Sequence, residues 1–333
     1  MSTISEIANK ANVSRTLVSR VLNNKPGVSP ENRKKILSVI EETNYVPNGL
    51  ARALVMQKTQ TIGVVMDELC TSFFFDLISG LQDAAEEMGY NILFCSSRSH
   101  IDIKQKYVDY FAQGRTDGII AYGSNLTDQQ LFRSIVSKSI PCVLVEGNLS
   151  NCNVNMVQLD NFKGAYNATK HLIELGYHNI VHVTGDMNYN VSLERLNGFV
   201  QAMQDFRIPI GQNSILYADY YEKLAYQQMR KLLEAGIKPD ACFAGADKAA
   251  FGAIRALLEM GYSIPKDIAI IGFDDDVPES RDIVFPPLTT MRQPLYEMGR
   301  ASVQMLVDSI KNPSQNSQIK MFQTELIIRK TCP

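Results

Sequence analysis

"ISEIANKANVSRTLVSRVLN", residues 4–23, holds two short helical periods separated by a break at Asn12, Val13 and Ser14. Ile4, Ile7, Ala8 and Ala11 recur at helical spacing, and Thr3-x-x-Glu6 fits a capping box, so a first helix is expected from about Ile4 to Ala11. Ser14 can cap a second helix, with Val13 and Val18 stapling its start. Two helices joined by so short a turn form a helix-turn-helix, the frame that lays its second helix in a DNA major groove. On that second helix Arg15, Thr16, Ser19 and Arg20 fall within an arc of about 140°, and Leu17, Val18, Val21 and Leu22 fill the opposite arc. One face is suited to burial. The other offers guanidinium groups that can give two donors to guanine, and hydroxyls that reach bases or phosphates.

A third helix is expected after Ser29 as cap and Pro30 in the first turn, with Ile36, Val39 and Ile40 facing inward. Arg33, Lys34 and Lys35 are placed either to meet phosphate or to form a solvated face. Charge separates this head from the rest. Residues 1–58 carry nine basic and four acidic residues, and the remaining 275 carry 24 basic and 31 acidic ones, within a chain of net charge −2. A basic head on an acidic body points to a polyanionic partner for the head.

The 333 residues suggest two or three domains, and 45% hydrophobic with 20% charged residues is ordinary globular material. No apolar run approaches the roughly 18 residues needed to span a bilayer, and Met-Ser-Thr-Ile-Ser lacks a signal-peptide pattern. A cytoplasmic protein without membrane contact is expected. Six cysteines without CxxC spacing are expected to be reduced thiols, several of them in the core.

Between head and body lies "YVPNGLARAL", residues 45–54, in which loop-forming Pro, Asn and Gly run into helix-favouring Ala-Arg-Ala-Leu. Asn48 can cap a helix to about Met56. Roughly two turns is short of the about 12–15 residues at which isolated helices become marginal, so this segment needs a partner to form.

From residue 61 apolar runs alternate with amphipathic segments. Strands are expected at 61–66, 91–96, 117–123, 141–147, 155–160, 179–185, 214–219, 241–246 and 267–275, with a last one at "TELIIRK". Such a series implies an α/β body of two doubly wound parallel sheets, with a ligand where their strand ends face each other.

The opening motif with "NYVPNGLARAL" (44–54) resembles the amino-terminal signature of the LacI/GalR family of bacterial transcription regulators. "DNFKGAYNATKHLIELGYHNIVHVTG" (160–185), "ERLNGFVQAM" (194–203), "IPKDIAIIGFDDD" (264–276) and "PPLTTMRQP" (286–294) resemble its effector-binding core, related to periplasmic sugar-binding proteins. The resemblance implies an all-α DNA-binding head at 1–46, a hinge helix and linker at 47–60 and a body at 61–333. Its lobes would take 61–160 with 292–322, and 161–291 with 323–333. It further implies a homodimeric repressor of carbohydrate-utilisation genes on palindromic operator DNA, controlled by a sugar or phosphosugar, with no cofactor. DNA contacts are implied at Thr3, Arg15, Thr16, Ser19, Arg20 and Asn23, and in the hinge at Asn48, Ala51 and Leu54, with Leu54 as the wedge between base steps. Ligand contacts are implied at Phe73, Phe74, Glu146, Asp160, Arg195, Tyr220 and Asp274.

The chain departs from the family pattern at three places. Leu17 replaces a usual Thr within the buried arc. Gly245-Ala246-Asp247-Lys248 replaces Ala-Asn-Asp and so lacks an amide, and Thr71-Ser72 replaces Asn-Pro. Other readings are a family member answering a non-sugar metabolite such as a purine, and a solute-binding protein for transport. No dinucleotide fingerprint, P-loop or nucleophile elbow supports an enzyme. His178 and His182 are expected on one face of a strand rather than at a metal.

Overall fold

The computed structural model describes residues 3–45, 58–123, 125–147, 154–276, 285–314 and 316–333. They form two compact units, Met1–Thr59 and Gln60–Pro333.

The first unit contains helices α1 (Ile4–Ala11), α2 (Arg15–Leu22) and α3 (Pro30–Glu42). Each begins on a side-chain cap. Glu6 N donates to Thr3 Oγ1 while Thr3 N donates to Glu6 Oε2, and the hydroxyls of Ser14 and Ser29 accept from Leu17 N and Asn32 N. Asn12 turns the chain at φ +52°, a left-handed conformation that Asn tolerates. Ile7, Val18, Val21 and Ile36 are buried together, with Leu17 packed half-buried against them. The segment expected to form the hinge, with Asn48, Ala51 and Leu54, lies outside the described residues.

The second unit holds two six-stranded sheets. The first comprises β1 (Thr61–Met66), β2 (Asn91–Ser96), β3 (Gly118–Tyr122), β4 (Cys142–Val145), β5 (Asn155–Leu159) and β11 (Ile319–Phe322), in the order β11-β5-β4-β3-β1-β2. The second comprises β6 (Ile180–Thr184), β7 (Ile215–Tyr217), β8 (Ala241–Ala244), β9 (Ala269–Asp274), β10 (Thr289–Arg292) and β12 (Glu325–Ile327), in the order β12-β10-β9-β8-β6-β7. Among the described residues all pairings between these strands are parallel except that of β12 with β10. Central strands such as β4 and β8 are buried along their whole length, as helices on both faces require.

The chain crosses between sheets after β5, after β10 and after β11. Helices α4 (Phe75–Glu87), α5 (Ile101–Ala112), α6 (Gln129–Ser137) and α11 (Leu295–Lys311) cover the first sheet. Helices α7 (Asn161–Glu174), α8 (Asn190–Asp205), α9 (Glu222–Glu234) and α10 (Asp247–Glu259) cover the second. Where α4 meets α11 the backbones nearly touch, since a Cβ on Gly80 would lie 2.1 Å from Tyr296 O.

Strands β10 and β11 were not among the expected runs. β10 sits in a proline-rich stretch, and β11 is a short edge strand whose residues are mostly exposed, so neither shows a buried apolar run. His178 precedes β6 and is exposed, so it does not share a strand face with buried His182. Cys142, Cys242 and Cys332 are buried free thiols, Cys95 is half-buried and Cys70 exposed, while Cys152 lies outside the described residues. Among the described residues no helix is long and apolar enough to cross a membrane, and no side-chain group has the makings of a metal site.

Candidate ligand cleft and DNA-reading helix

Helix α2 presents Arg15, Thr16 and Arg20 exposed, with Ser19 half-buried between them. Asn23, the residue ending the helix, donates from Nδ2 to Ser19 O at 2.8 Å, which fixes its side chain along the same face. Arg20 reaches over Gly27, where a Cβ would stand 2.9 Å from its Nη1. Thr3 is exposed, with its hydroxyl engaged in the capping box. In the basic run of α3, Arg33 bonds Asn24 Oδ1 at 3.0 Å and Lys35 pairs with Glu31 at 2.9 Å.

In the body the carboxyl ends of the two sheets face each other and touch at two rims. Ser72, after β1, donates to Asp276, after β9. At the other rim Asn125 and Tyr189 form an antiparallel bridge, and Leu126 N donates to Asn188 O at 2.9 Å. The serine at position 72, where the family pattern carries proline, supplies a hydroxyl that proline cannot.

Between the rims lies Arg195, in the second turn of α8 and only 5% exposed. Its Nε donates to Asn161 Oδ1 at 2.9 Å and its Nη1 to Gly245 O at 2.6 Å, with Asp274 Oδ1 at 3.4 Å. The guanidinium stacks 3.8 Å above the Phe273 ring, a desolvated cation–π contact that adds to its anchoring. Asn161 extends the network into the other lobe, donating to Glu146 Oε2 at 2.9 Å, while Glu146 Oε1 accepts from Leu159 N at 2.6 Å. At the far end Asp274 accepts from Gln293 Nε2 at 2.6 Å. Asp274 holds φ at +122°, a conformation that disfavours side chains, so its carboxylate is aimed at a cost in backbone strain.

Burial governs the protonation of these groups. It lifts the Glu146 carboxyl to about 7 against the pull of Asn161, Leu159 N and Arg195. It lifts Asp274 to about 6 despite Arg195 and Gln293. Asp247 is raised well above the carboxylate range, first by burial and then by Asp274. A folded chain that holds these protons more tightly than the unfolded one loses stability as pH rises. For Glu146 the loss starts near its ordinary 4.5 and is complete by about 7, roughly 3 kcal/mol in all. Urea denaturation of Glu146→Gln between pH 5 and 8 is expected to show a flatter stability profile than the parent. An identical slope in both proteins would contradict this.

The remaining candidates divide. Phe73, Phe74 and Tyr122 stack edge to face at 4.8 and 5.0 Å, with Phe74 buried. Tyr220 adopts φ +64° and accepts from Ser192 Oγ at 2.7 Å, its ring lying flat on Gly185, where any Cβ would collide with it. Asp160 caps α7 by accepting from Lys163 N at 2.9 Å and is tied to Gln323 at 3.2 Å, so its carboxylate serves the crossing points of the chain. The geometry thus joins Glu146, Arg195 and Asp274 in one network, with Asp160 capping α7 beside it.

Several members of the site were missed from sequence: Asn161, Gln293, Asp247 and Tyr122. So was a buried triad in which Lys104 Nζ lies 2.8 Å from Asp67 and 2.6 Å from Asp128, with Ser97 Oγ donating to Asp67 at 2.9 Å. Burial opposes the Lys104 charge, but the two carboxylates outweigh it and raise its pKa. The available signal was Lys104 on the same helical face as buried Val108 and Phe111. His182 stacks between Phe199 and Phe243 with Nδ1 3.0 Å from Phe243 O, and burial lowers it to about 4, leaving a neutral core imidazole.

Residues 3–48 match the family profile described as bacterial regulatory proteins, lacI family, and residues 59–330 match that of periplasmic binding proteins and the sugar binding domain of the LacI family. The chain belongs to the LacI family. It is 30% identical over 331 residues to the HTH-type transcriptional repressor PurR of Aliivibrio salmonicida, covering 99% of both chains. Among solved structures it is similar to the lac repressor dimer bound to operator and the anti-inducer ONPF, at 25% identity, 99% of each chain and a TM-score of 0.88. It is also similar to the transcriptional regulator CelR–cellobiose complex, at 28% identity, 99% of this chain, 100% of the other and a TM-score of 0.74. As a LacI-family member the chain is a DNA-binding transcriptional repressor with a ligand-binding body, and not an enzyme.

Proposed function

We propose that the chain is a homodimeric repressor of carbohydrate-utilisation genes that binds palindromic operator DNA and takes a sugar between its two lobes. The head would be residues 1–46, the hinge 47–60 and the body 61–333. The first lobe would be 61–160 with 292–322, and the second 161–291 with 323–333. The supporting observation is the Arg195–Asp274 pair in the cleft, a donor fork beside an acceptor, which suits hydroxyls that both give and receive hydrogen bonds. The lac repressor and CelR likenesses favour operator binding as a dimer and a sugar ligand.

A purine is the second reading, favoured by the PurR likeness and by the Phe73, Phe74 and Tyr220 rings, which offer flat apolar faces. Likeness to regulators along the whole chain, head included, weighs against a transport solute-binding protein. A ligand shifts operator affinity only as far as it prefers one lobe arrangement, commonly about 1–3 kcal/mol.

Gel shifts at fixed moderate salt test the reading. A palindromic operator selected from random DNA is expected to be retained over unrelated duplex, and retention is expected to change with ribose, cellobiose or hypoxanthine. Equal retention of all duplexes would sink it. In the same assay Arg15→Ala is expected to weaken the selected operator by about 1–3 kcal/mol and relax discrimination at one base position. A uniform loss on every sequence would reassign Arg15 to phosphate.

A further inference from the structure

We infer that Lys104 is a positioning residue for closure of the cleft, its buried ammonium holding the two first-lobe loops that meet the second lobe at the Asn125–Tyr189 rim. This role rests on the reading of the cleft as the effector site.

Three first-lobe residues reach the second lobe at this rim. Asn125 bridges Tyr189, Leu126 N donates to Asn188 O at 2.9 Å, and Ser99 Oγ stands 3.5 Å from the Tyr189 hydroxyl. The loops that carry them have little apolar anchorage of their own. Among the described residues between Gly123 and Leu131, Asp128 alone is buried, and Leu126 is 43% exposed. Asn125 and Asp128 belong to one tight turn, in which Asn125 Oδ1 accepts from Thr127 N at 2.9 Å and Asn125 O from Asp128 N at 3.0 Å. Lys104 Nζ, 2.6 Å from Asp128 Oδ2, fastens that turn to the body of the lobe. The exit of β3 is pressed against the pair, since a Cβ on Gly123 would stand 2.5 Å from Asp128 Oδ2 and 3.1 Å from Lys104 Nζ.

The second loop leaves β2. Its Arg98 and Ser99 both take left-handed backbone, at φ +49° and +60°, which residues other than glycine keep only where their surroundings impose it. Asp67 supplies that constraint. Its carbonyl accepts from Arg98 N at 2.7 Å and its carboxylate from Ser97 Oγ at 2.9 Å. Asp67 Oδ1 in turn lies 2.8 Å from Lys104 Nζ. An ammonium has three donors, and this one meets carboxylates that follow two different strands, so it fixes the spacing of the loops as well as burying them. Loosening either tie frees the rim without touching the second lobe. An effector that binds the closed lobes then loses affinity in proportion to the closed fraction.

Hydrogen exchange on the full chain without ligand reads the rim directly, because the Leu126 amide donates across it. The Ile119 amide, which donates to Pro141 O within the first lobe, reads the fold in the same experiment. Asp128→Ala leaves Lys104 paired with Asp67 and is expected to speed exchange at Leu126 by at least about tenfold relative to Ile119. Lys104→Met is expected to do the same, and Asp128→Ala decides alone if Lys104→Met does not fold. Equal factors at the two amides, or an unchanged Leu126, reduce the triad to a stabilising contact and overturn the positioning role. Thermal shifts with ribose, cellobiose and hypoxanthine are then compared in the parent and Asp128→Ala. A compound that protects the parent is expected to protect the variant less, and equal protection of both overturns the link to closure. Protection of the parent by none of the three counts against the effector reading alone, and exchange at Leu126 then decides the role of Lys104 by itself.

Discussion

Arg195→Ala is expected to abolish the ligand-dependent change in operator binding and to destabilise the body by about 3–5 kcal/mol. The guanidinium is buried and bonded to Asn161 and Gly245 O, with Asp274 beside it, so its loss strands polar groups that water does not reach. Asp274 and Glu146, already lifted by burial, can then take up protons, which limits the damage in acid. The loss is therefore expected to be smaller at pH 5 than at pH 8. Arg195→Lys keeps the charge but not the fork, and is expected to recover part of the stability without the ligand response. Urea midpoints across that pH range, together with gel shifts with and without ligand, check both statements. A stable Arg195→Ala protein with full ligand response would remove Arg195 from the site.

The second large effect is expected at Lys104. Lys104→Met leaves Asp67 and Asp128 facing each other in a buried space and is expected to cost about 3–5 kcal/mol. Burial already raises the Asp128 pKa against the lysine's pull, so without the lysine the pair must protonate or separate. Adding Asp128→Asn to Lys104→Met is expected to restore a good part of the loss, because one of the two uncompensated charges disappears. Denaturation midpoints of the single and double variants decide it, and additive losses would contradict the coupling. The triad closes the carboxyl ends of β1, β2 and β3, where the strand order reverses on either side of β1. Such switch points are where doubly wound sheets hold their ligands.

Much of this architecture can be read along the chain because its signals are local. The capping residues Thr3, Ser14 and Ser29 mark the helices of the head to within a residue, since a cap and its recipient N–H lie three positions apart. The buried strand β1 and the half-exposed edge strand β2 coincide with their apolar runs. Local signals fail where the deciding partner is distant. β11 is a strand only because β5 pairs with it, and nothing within Ile319–Phe322 announces that. The carboxylate of Asp160 caps a helix start and also meets Gln323, which lies 163 positions away and cannot be anticipated locally. Asn161, next to it, was passed over although it links Glu146 to Arg195. Adjacent polar residues at a crossing point look alike in sequence, and only the backbone direction decides which one faces the cleft.

The two rim contacts, Ser72 with Asp276 and the Asn125–Tyr189 bridge, carry a kinetic consequence. A molecule seated between these contacts is expected to enter and leave only as they open, rather than by diffusion alone. Capture is then expected to be limited by the gate, so its rate levels off however concentrated the ligand becomes. Departure is slowed in the same proportion, so the transcriptional state would outlast a brief pulse of its signal.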